Sequence, residues 1–411
     1  MPSEPPSNAD AAGAQVIRAL LLDLDDTLLQ SNFERFLPAY MGRLASALED
    51  LGPADHVIAQ LISSTGSMIE NLDPTRTLKH AFDGRFYPAL NTTEPELRPR
   101  IDRFYKETYP ELRGLTAPAP DASELIEKVK DAGVEMVVAT NPLFPATAIR
   151  QRLAWAGLPV DQAPFTFITS YEHFHFAKPQ PEYYAEILGL LGVQGVAAAI
   201  IGDDVENDLE PAAMLGISGY HVSQQPDPGF DGGDLAGAWD WLQQIGDTEE
   251  DVHSGQPPRA LLARLRGYLG ALLQQVEDLT AEAWVSRPSQ NEWAPVEVVC
   301  HLRDTEVEVY QPRLRRLLME SSPFLSAANP DQWAEERRYL RQDPLAAVEA
   351  FKAARQETIA QLASLDAEQW RNPGRHAILG PTTLAEQMSV AVDHDLIHLA
   401  QLRDCLYPSP S

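Results

Sequence analysis

Residues 19–29 read Ala-Leu-Leu-Leu-Asp-Leu-Asp-Asp-Thr-Leu-Leu, and the reading of this stretch decides the fold of the first half of the chain. Four apolar residues between Arg18 and Asp23 have the length of a buried parallel strand. Such a strand releases Asp23, Asp25 and Asp26 at its carboxyl end, the edge where open α/β sheets bind ligands. Carboxylates this close repel one another, so burying them requires a cation among them, and a divalent metal is the natural partner. Taken alone, an acidic turn of this kind is more often a solvated strand end or a helix N-cap. Three later stretches change that reading.

Working outward, strand-like runs recur at 135–139, 165–169, 197–201 and 219–222, separated by helical patterns at 121–132, 146–156 and 181–191. Alternating strands and helices predict an α/β domain, a Rossmann-like, doubly wound parallel sheet over residues 15–245. The long insertion after the first strand has helix-like segments at 33–51, 56–70 and 94–109 and reads as a helical cap, approximately 31–115, over the carboxyl edge of the sheet. The later strands also end in polar residues. Residues 136–141 deliver Thr140 and Asn141, the turn Ala177-Lys178-Pro179 delivers an ammonium before a helix, and Gly202-Asp203-Asp204-Val-Glu206-Asn-Asp208 delivers further carboxylates.

Asp23-x-Asp25-x-Thr27, Thr140, Lys178-Pro179 and Gly202-Asp203-x4-Asp208, in this order, resemble the four motifs of the haloacid dehalogenase superfamily, and the insertion resembles the cap of its phosphatase-rich subclass. The resemblance covers about 230 residues. It implies that Asp23 is a nucleophile forming an aspartyl-phosphate and that Asp25 protonates the leaving alcohol and then deprotonates the hydrolytic water. It implies Mg²⁺ held by Asp23, Asp203 and the backbone carbonyl of Asp25, with Asp208 positioning Lys178 or a metal-bound water. Thr140 and Lys178 would hold the phosphoryl oxygens. Dehalogenating members lack an acid at the position of Asp25, so its presence points to phosphate ester hydrolysis. Asp204 and Glu206 read as solvated loop carboxylates at least as readily as supports of the metal ligands. In the cap, Arg76, Lys79, His80 and Arg85 read as a solvated face.

Residues 246–258 are acidic, lack apolar periodicity and end in Pro257-Pro258, which reads as a linker permitting two independent domains. Beyond it the pattern is helical throughout. Leu261, Leu262, Leu265, Leu269, Leu272, Val276 and Leu279 share one face, and amphipathic segments follow at 296–319, 344–365 and 383–406. Four such helices predict an all-α four-helix bundle over 259–411, with Pro312 kinking the second helix. His394 and His398 lie one turn apart on the fourth helix, and His301 lies in the second. Two histidines at this spacing can share a metal, although alone they are more often packing or surface residues. Trp293-Ala-Pro295-Val-Glu297-Val-Val-Cys-His301-Leu-Arg-Asp304-x-Glu306 and His394-Asp-x-x-His398-x-x-Gln401-Leu resemble the DinB-like superfamily, which implies that the three histidines hold one metal. Neutral imidazoles suit Zn, Ni or Fe. Asp304, Asp393 and Asp395 read as solvated helix faces rather than supports for the ligand rings. His376 reads as structural.

Net charge is −28, split −19 over residues 1–245 and −9 over 246–411, which argues against nucleic acid and anionic membranes as partners. Cys300 and Cys405 are the only cysteines and have no paired spacing, as expected of a reduced, cytoplasmic protein. Residues 1–14 read as a disordered tail without a secretion signal. The expected partner is a small-molecule phosphate ester. For the bundle, three readings stay open: a metal-dependent thiol transferase or isomerase, a homodimerisation module, and a ligand sensor without chemistry.

Overall fold

A computed structural model describes residues 17–245 and 256–407. The expected tail, and residues 246–255 of the expected linker, lie outside the described residues; Pro258 belongs to a helix rather than to a linker.

Six strands, β1 (Ala19–Leu22), β2 (Glu135–Val138), β3 (Phe165–Ile168), β4 (Ala198–Gly202), β5 (Ser218–Val222) and β6 (Asp231–Gly233), form one parallel sheet in the order β3-β2-β1-β4-β5-β6. β1 is fully buried between β2 and β4, which is why its sequence is a continuous apolar run instead of an alternating one. Leu20 and Leu22 face one core and Ala19 and Leu21 the other, and residues of the cap enter both.

The cap comprises α1 (Phe33–Ala47), α2 (Ala54–Ile69), α3 (Leu78–Ala89) and α4 (Glu94–Arg103). The chain entering it, Leu29–Gln30, pairs antiparallel with the chain leaving it, Ala117–Pro118, so both stems are tied at the sheet edge. Helices α5 (Ala122–Asp131), α6 (Ala146–Trp155), α7 (Pro181–Leu191) and α8 (Leu235–Ile245) cover the sheet.

The bundle is built from α9 (Pro258–Val276), α10 (Pro295–Thr305), α11 (Pro344–Ala363) and α12 (Leu384–Leu406). After α10 the chain widens into a π-helical turn at Glu306–Tyr310 before continuing as Gln311–Met319. Pro312 cannot donate to the preceding turn, so the disturbance expected there takes the form of this widened turn. The region is not helical throughout: Phe324–Leu325, Pro373–His376 and Gly380–Thr383 form a small three-stranded sheet. His376 belongs to it, its Nδ1 accepting the N–H groups of Ile378 and Leu379 at 3.3 Å.

The two halves are joined by packing. Every residue of α7 except Leu190 is buried, the helix being held between the sheet and α9, and one apolar core runs from Leu21 and Ile200 through Ile187 to Leu265 and Leu402. The Cβ of any residue at position 267 would lie 2.6 Å from Ala185 Cβ and from Glu186 N, so only glycine permits this approach of α9 to α7. At the rim Arg266 pairs with Glu182 at 2.7 Å, Arg264 donates to the Leu215 carbonyl at 2.9 Å, and Arg403 donates to the Leu191 carbonyl at 2.7 Å while pairing with Glu135. The independence that a linker permits is therefore not used.

Candidate functional site

The chain turns sharply after β1. Leu28 and Leu29 donate to the Leu24 carbonyl at 3.0 and 2.8 Å, and Asp26 closes the turn in the left-handed region with φ 58°. This geometry leaves the buried carboxylate of Asp23 at the strand end. Asp203 follows β4, and Asp208 returns from the π-helical turn Val205–Leu209 to lie over Gly202, where a Cβ would stand 2.7 Å from Asp208 Cγ. Carboxylate oxygens of Asp23, Asp203 and Asp208 all lie within 4.8 Å of one another.

Lys178, after β3 and ahead of α7, is fully buried among them and donates to Asp23 Oδ1 at 2.7 Å and to Asp208 Oδ1 at 2.5 Å. Burial opposes its charge, but Asp208 and Asp23 more than offset that, so the ammonium persists. One lysine does not balance three carboxylates. Burial, reinforced by Asp23 and Asp208, pushes the Asp203 carboxyl up to about 8. A cluster of hard oxygen donors that resists ionisation in this way fits a divalent cation such as Mg²⁺.

Thr140 stands at the end of β2, its carbonyl accepting the hydroxyls of Thr169 and Tyr183, both at 2.8 Å. Asp25 does not add its carboxylate to the cluster. It accepts Ser31 Oγ at 2.5 Å and is paired with the guanidinium of Arg152, a fully buried residue of α6 packed on the rings of Phe33, Phe36 and Phe144. Asp204 is not a free loop carboxylate: its side chain caps the π-helical turn, accepting from the N–H groups of Glu206 and Asn207 at 3.0 Å, while its backbone N–H donates to Asp208 Oδ2 at 3.3 Å. Glu206 is exposed. The cap's cations serve the cap itself. Lys79 pairs with Asp83 and Glu94, Arg76 donates to the His80 carbonyl, and His80 meets Thr77; Arg85 is exposed.

The bundle holds the second constellation. His301 on α10 and His394 and His398 on α12 form a compact triangle, with ring centroids 4.5 Å apart for His301 to His398 and His394 to His398, and 5.1 Å for His301 to His394. The Nε2 atoms of His301 and His394 face each other at 3.0 Å. Two nitrogens each about 2.0–2.1 Å from one ion have about this separation. Burial holds His394 down at about 2 and His301 at about 3, keeping both imidazoles neutral as metal ligation requires. Their Nδ1 atoms are buried and have no partner among the described residues. His398 is oriented from behind, its Nδ1 meeting Gln401 Oε1 at 3.0 Å, and Trp293 stacks parallel to its ring at 5.7 Å. The donor set fits a borderline metal such as Zn, Ni or Fe.

Two of the three aspartates read as solvated are not. Asp304 accepts from Arg303 and Arg337 at 2.6 Å and from the Tyr339 hydroxyl at 2.7 Å. Asp395 is buried against Arg355, which also donates to Glu306 at 2.7 Å. Among the described contacts neither touches a ligand histidine; Asp393 is exposed.

Sequence reading missed Ser31, Arg152, Tyr183, Tyr184, His221 and Arg355. His221 on β5 has a defined tautomer: its Nδ1 accepts the Asp227 N–H at 2.9 Å, so Nε2 donates to the Asp203 carbonyl at 3.0 Å. The two arginines left a signal. Arg152 falls on the helical face of Ala148, Ile149 and Leu153, and Arg355 on that of Val348, Phe351, Ile359 and Leu362, faces that are otherwise apolar and buried.

Residues 17–216 match the haloacid dehalogenase-like hydrolase family, and residues 261–402 match the DinB superfamily. Residues 17–216 thus form a haloacid dehalogenase-like hydrolase domain and residues 261–402 a DinB superfamily domain. Glyceraldehyde 3-phosphate phosphatase from Methanocaldococcus jannaschii is 26% identical over 210 residues, covering 49% of this chain and 83% of that protein. Among solved structures, a HAD phosphatase from Thermococcus onnurineus aligns with 18% identity and a TM-score of 0.38 over 55% of this chain and 97% of its own. YfiT from Bacillus subtilis, a four-helix bundle protein, aligns with 21% identity and a TM-score of 0.34 over 38% of this chain and 90% of its own. No helix among the described residues is long and apolar enough to cross a membrane.

Proposed function

We propose that the hydrolase domain is a Mg²⁺-dependent phosphatase of small phosphorylated metabolites, acting through an aspartyl-phosphate. The observation that carries this reading is the convergence of Asp23, Asp203 and Asp208 at the carboxyl edge of the sheet, with Lys178 bridging Asp23 and Asp208. Asp23 and Asp203, with Asp208 beside them, would hold Mg²⁺, which when bound would supply positive charge for the phosphoryl oxygens. A carboxylate oxygen of Asp23 attacks phosphorus while Asp25 gives its proton to the departing alcohol oxygen; Asp25 then takes a proton from the water that cleaves the acyl-phosphate and restores Asp23. Lys178 and Thr140 hold the phosphoryl oxygens as charge builds on them. Asp25 begins this cycle as a carboxylate on Ser31 and Arg152, so it must leave that ion pair and take up a proton from solvent before it can protonate the leaving oxygen.

The relative from Methanocaldococcus jannaschii is named for glyceraldehyde 3-phosphate, which makes that ester the first to try. The test is phosphate release from it, from p-nitrophenyl phosphate and from a panel of metabolite phosphates, with and without Mg²⁺. Release that requires Mg²⁺ and disappears in Asp23→Asn supports the proposal. No release from any ester by folded, Mg²⁺-loaded protein refutes it.

A second reading concerns the bundle, favoured by the three converging imidazoles, two of them held neutral by burial. Three protein ligands leave a metal open to substrate, as in catalytic sites. This centre then holds Zn, Ni or Fe and serves a thiol-dependent transfer or isomerisation. Protein that binds none of these metals, or binds them equally well as His394→Ala/His398→Ala, removes its basis.

A further inference from the structure

Helix α7 has two working faces. On one, the adjacent residues Tyr183 and Tyr184 are fully buried with rings 4.9 Å apart, and their hydroxyls leave the helix in different directions. Tyr183 donates to the Thr140 carbonyl at 2.8 Å and to Thr169 Oγ1 at 3.1 Å. Tyr184 donates to the Asn207 carbonyl at 2.9 Å and reaches Asp208 Oδ1 at 3.4 Å. With Lys178 just ahead of its first turn, α7 thus touches three of the four groups of residues that make up the hydrolase centre. On the other face, Ala185 and Glu186 are pressed against Gly267 of α9, and Glu182 is held by Arg266.

We propose that Tyr183 and Tyr184 are positioning residues of the hydrolase centre, and that the bundle, by pinning α7 through α9, is part of the scaffold that holds Thr140 and the Asp203–Asp208 loop in place. The physical reason is that both contacts are made to chain that has left the sheet. Thr140 lies just past β2, and Asn207 lies in a single π-helical turn beyond β4. Hydroxyl donors from a rigid helix supply the fixation that sheet pairing no longer gives. A helix packed on both sides within one continuous core is rigid because neither side can relax.

The inference rests on the phosphatase reading for its kinetic readout, so a second readout is independent of activity. In the full chain, Tyr183→Phe, Tyr184→Phe, Gly267→Ala and the milder Arg266→Met are compared with the native protein by p-nitrophenyl phosphate hydrolysis and by amide hydrogen exchange over residues 203–209. Gly66→Ala, where an added Cβ meets nothing within 4 Å, is the control. Loss of one hydroxyl contact of about 1 kcal/mol lowers kcat about fivefold with KM little changed. Tyr184→Phe should show this together with faster exchange at 203–209, and Tyr183→Phe a smaller loss because Thr169 still serves the Thr140 carbonyl. Gly267→Ala, or Arg266→Met if the former does not fold, should accelerate the same exchange although the change lies in the bundle. Native kcat and native exchange in both tyrosine variants would overturn the positioning role. Native exchange at 203–209 in the α9 variants would overturn the part assigned to the bundle. A native protein that hydrolyses nothing while the exchange pattern appears as described would refute the phosphatase reading and leave the scaffold intact.

Discussion

The carboxylate centre and the imidazole centre solve one problem in opposite ways. Each brings three like side chains, two buried and one half-buried, to one point without a protein counter-charge sufficient for all of them. The carboxylates stand on loops beyond strand ends, keep a shared lysine, and force part of the remaining charge off by pushing Asp203 up to about 8. The imidazoles stand on two helices, and burial strips the charge from His301 and His394, so these two bases can share the site with His398 at little electrostatic cost. Charge retained calls for a hard cation at a centre built for phosphoryl chemistry; charge shed leaves nitrogen lone pairs for a borderline metal.

The sharpest way to break the comparison is to disturb a charge that the bundle does retain. Arg355 is fully buried between Glu306 and Asp395, so Arg355→Ala leaves two buried carboxylates unpaired and should cost about 3–5 kcal/mol, read as a fall in the denaturant midpoint. The next effect is metal-linked. At a free zinc concentration about 100 times its dissociation constant, the native protein should gain about 2.7 kcal/mol, and His394→Ala/His398→Ala should gain nothing measurable by thermal unfolding.

Titration should separate the centres by sign. His301 and His394 have folded values of about 3 and 2, below the ordinary 6.5, so the unfolded chain binds more protons and their contribution is lost as pH falls below about 6.5. Asp203 is raised from 3.8 to about 8, so its contribution is present at low pH and lost as pH rises from about 4 to about 8. In metal-free protein Asp203→Asn should therefore flatten the fall in stability between about pH 4 and about pH 8 and leave the profile below about pH 4 unchanged, as followed by urea unfolding. The smallest effect is expected at Ser31. Ser31→Ala removes one hydrogen bond of about 1 kcal/mol from the resting position of Asp25 and should change kcat by several-fold while KM stays constant.

Both architectures were legible in the sequence because their signals are local: continuous apolar strands followed by polar residues, and apolar stripes at helical spacing. The short strands at Phe324–Leu325, Pro373–His376 and Gly380–Thr383 were not, since a few residues that include proline and glycine carry no periodicity. The motif carboxylates could be named in advance, but not that Asp25 would turn to Arg152, a contact between residues 127 positions apart in the chain. The joining of the halves did leave a trace. Residues 181–191 are apolar around nearly the whole helix apart from Glu182 and Glu186, the mark of a helix covered on all sides. Reading that segment only as a sheet-covering helix hid the bundle packed against it.

The most direct test of the account is to locate the phosphoryl group during turnover. Native protein mixed with Mg²⁺ and its best ester is quenched in acid within the first turnover, digested and sequenced by mass spectrometry. The account expects a phosphorylated peptide carrying the group on Asp23, absent without Mg²⁺ and absent in Asp23→Asn. Turnover with no phosphorylated peptide, or with the group on another residue, would contradict it.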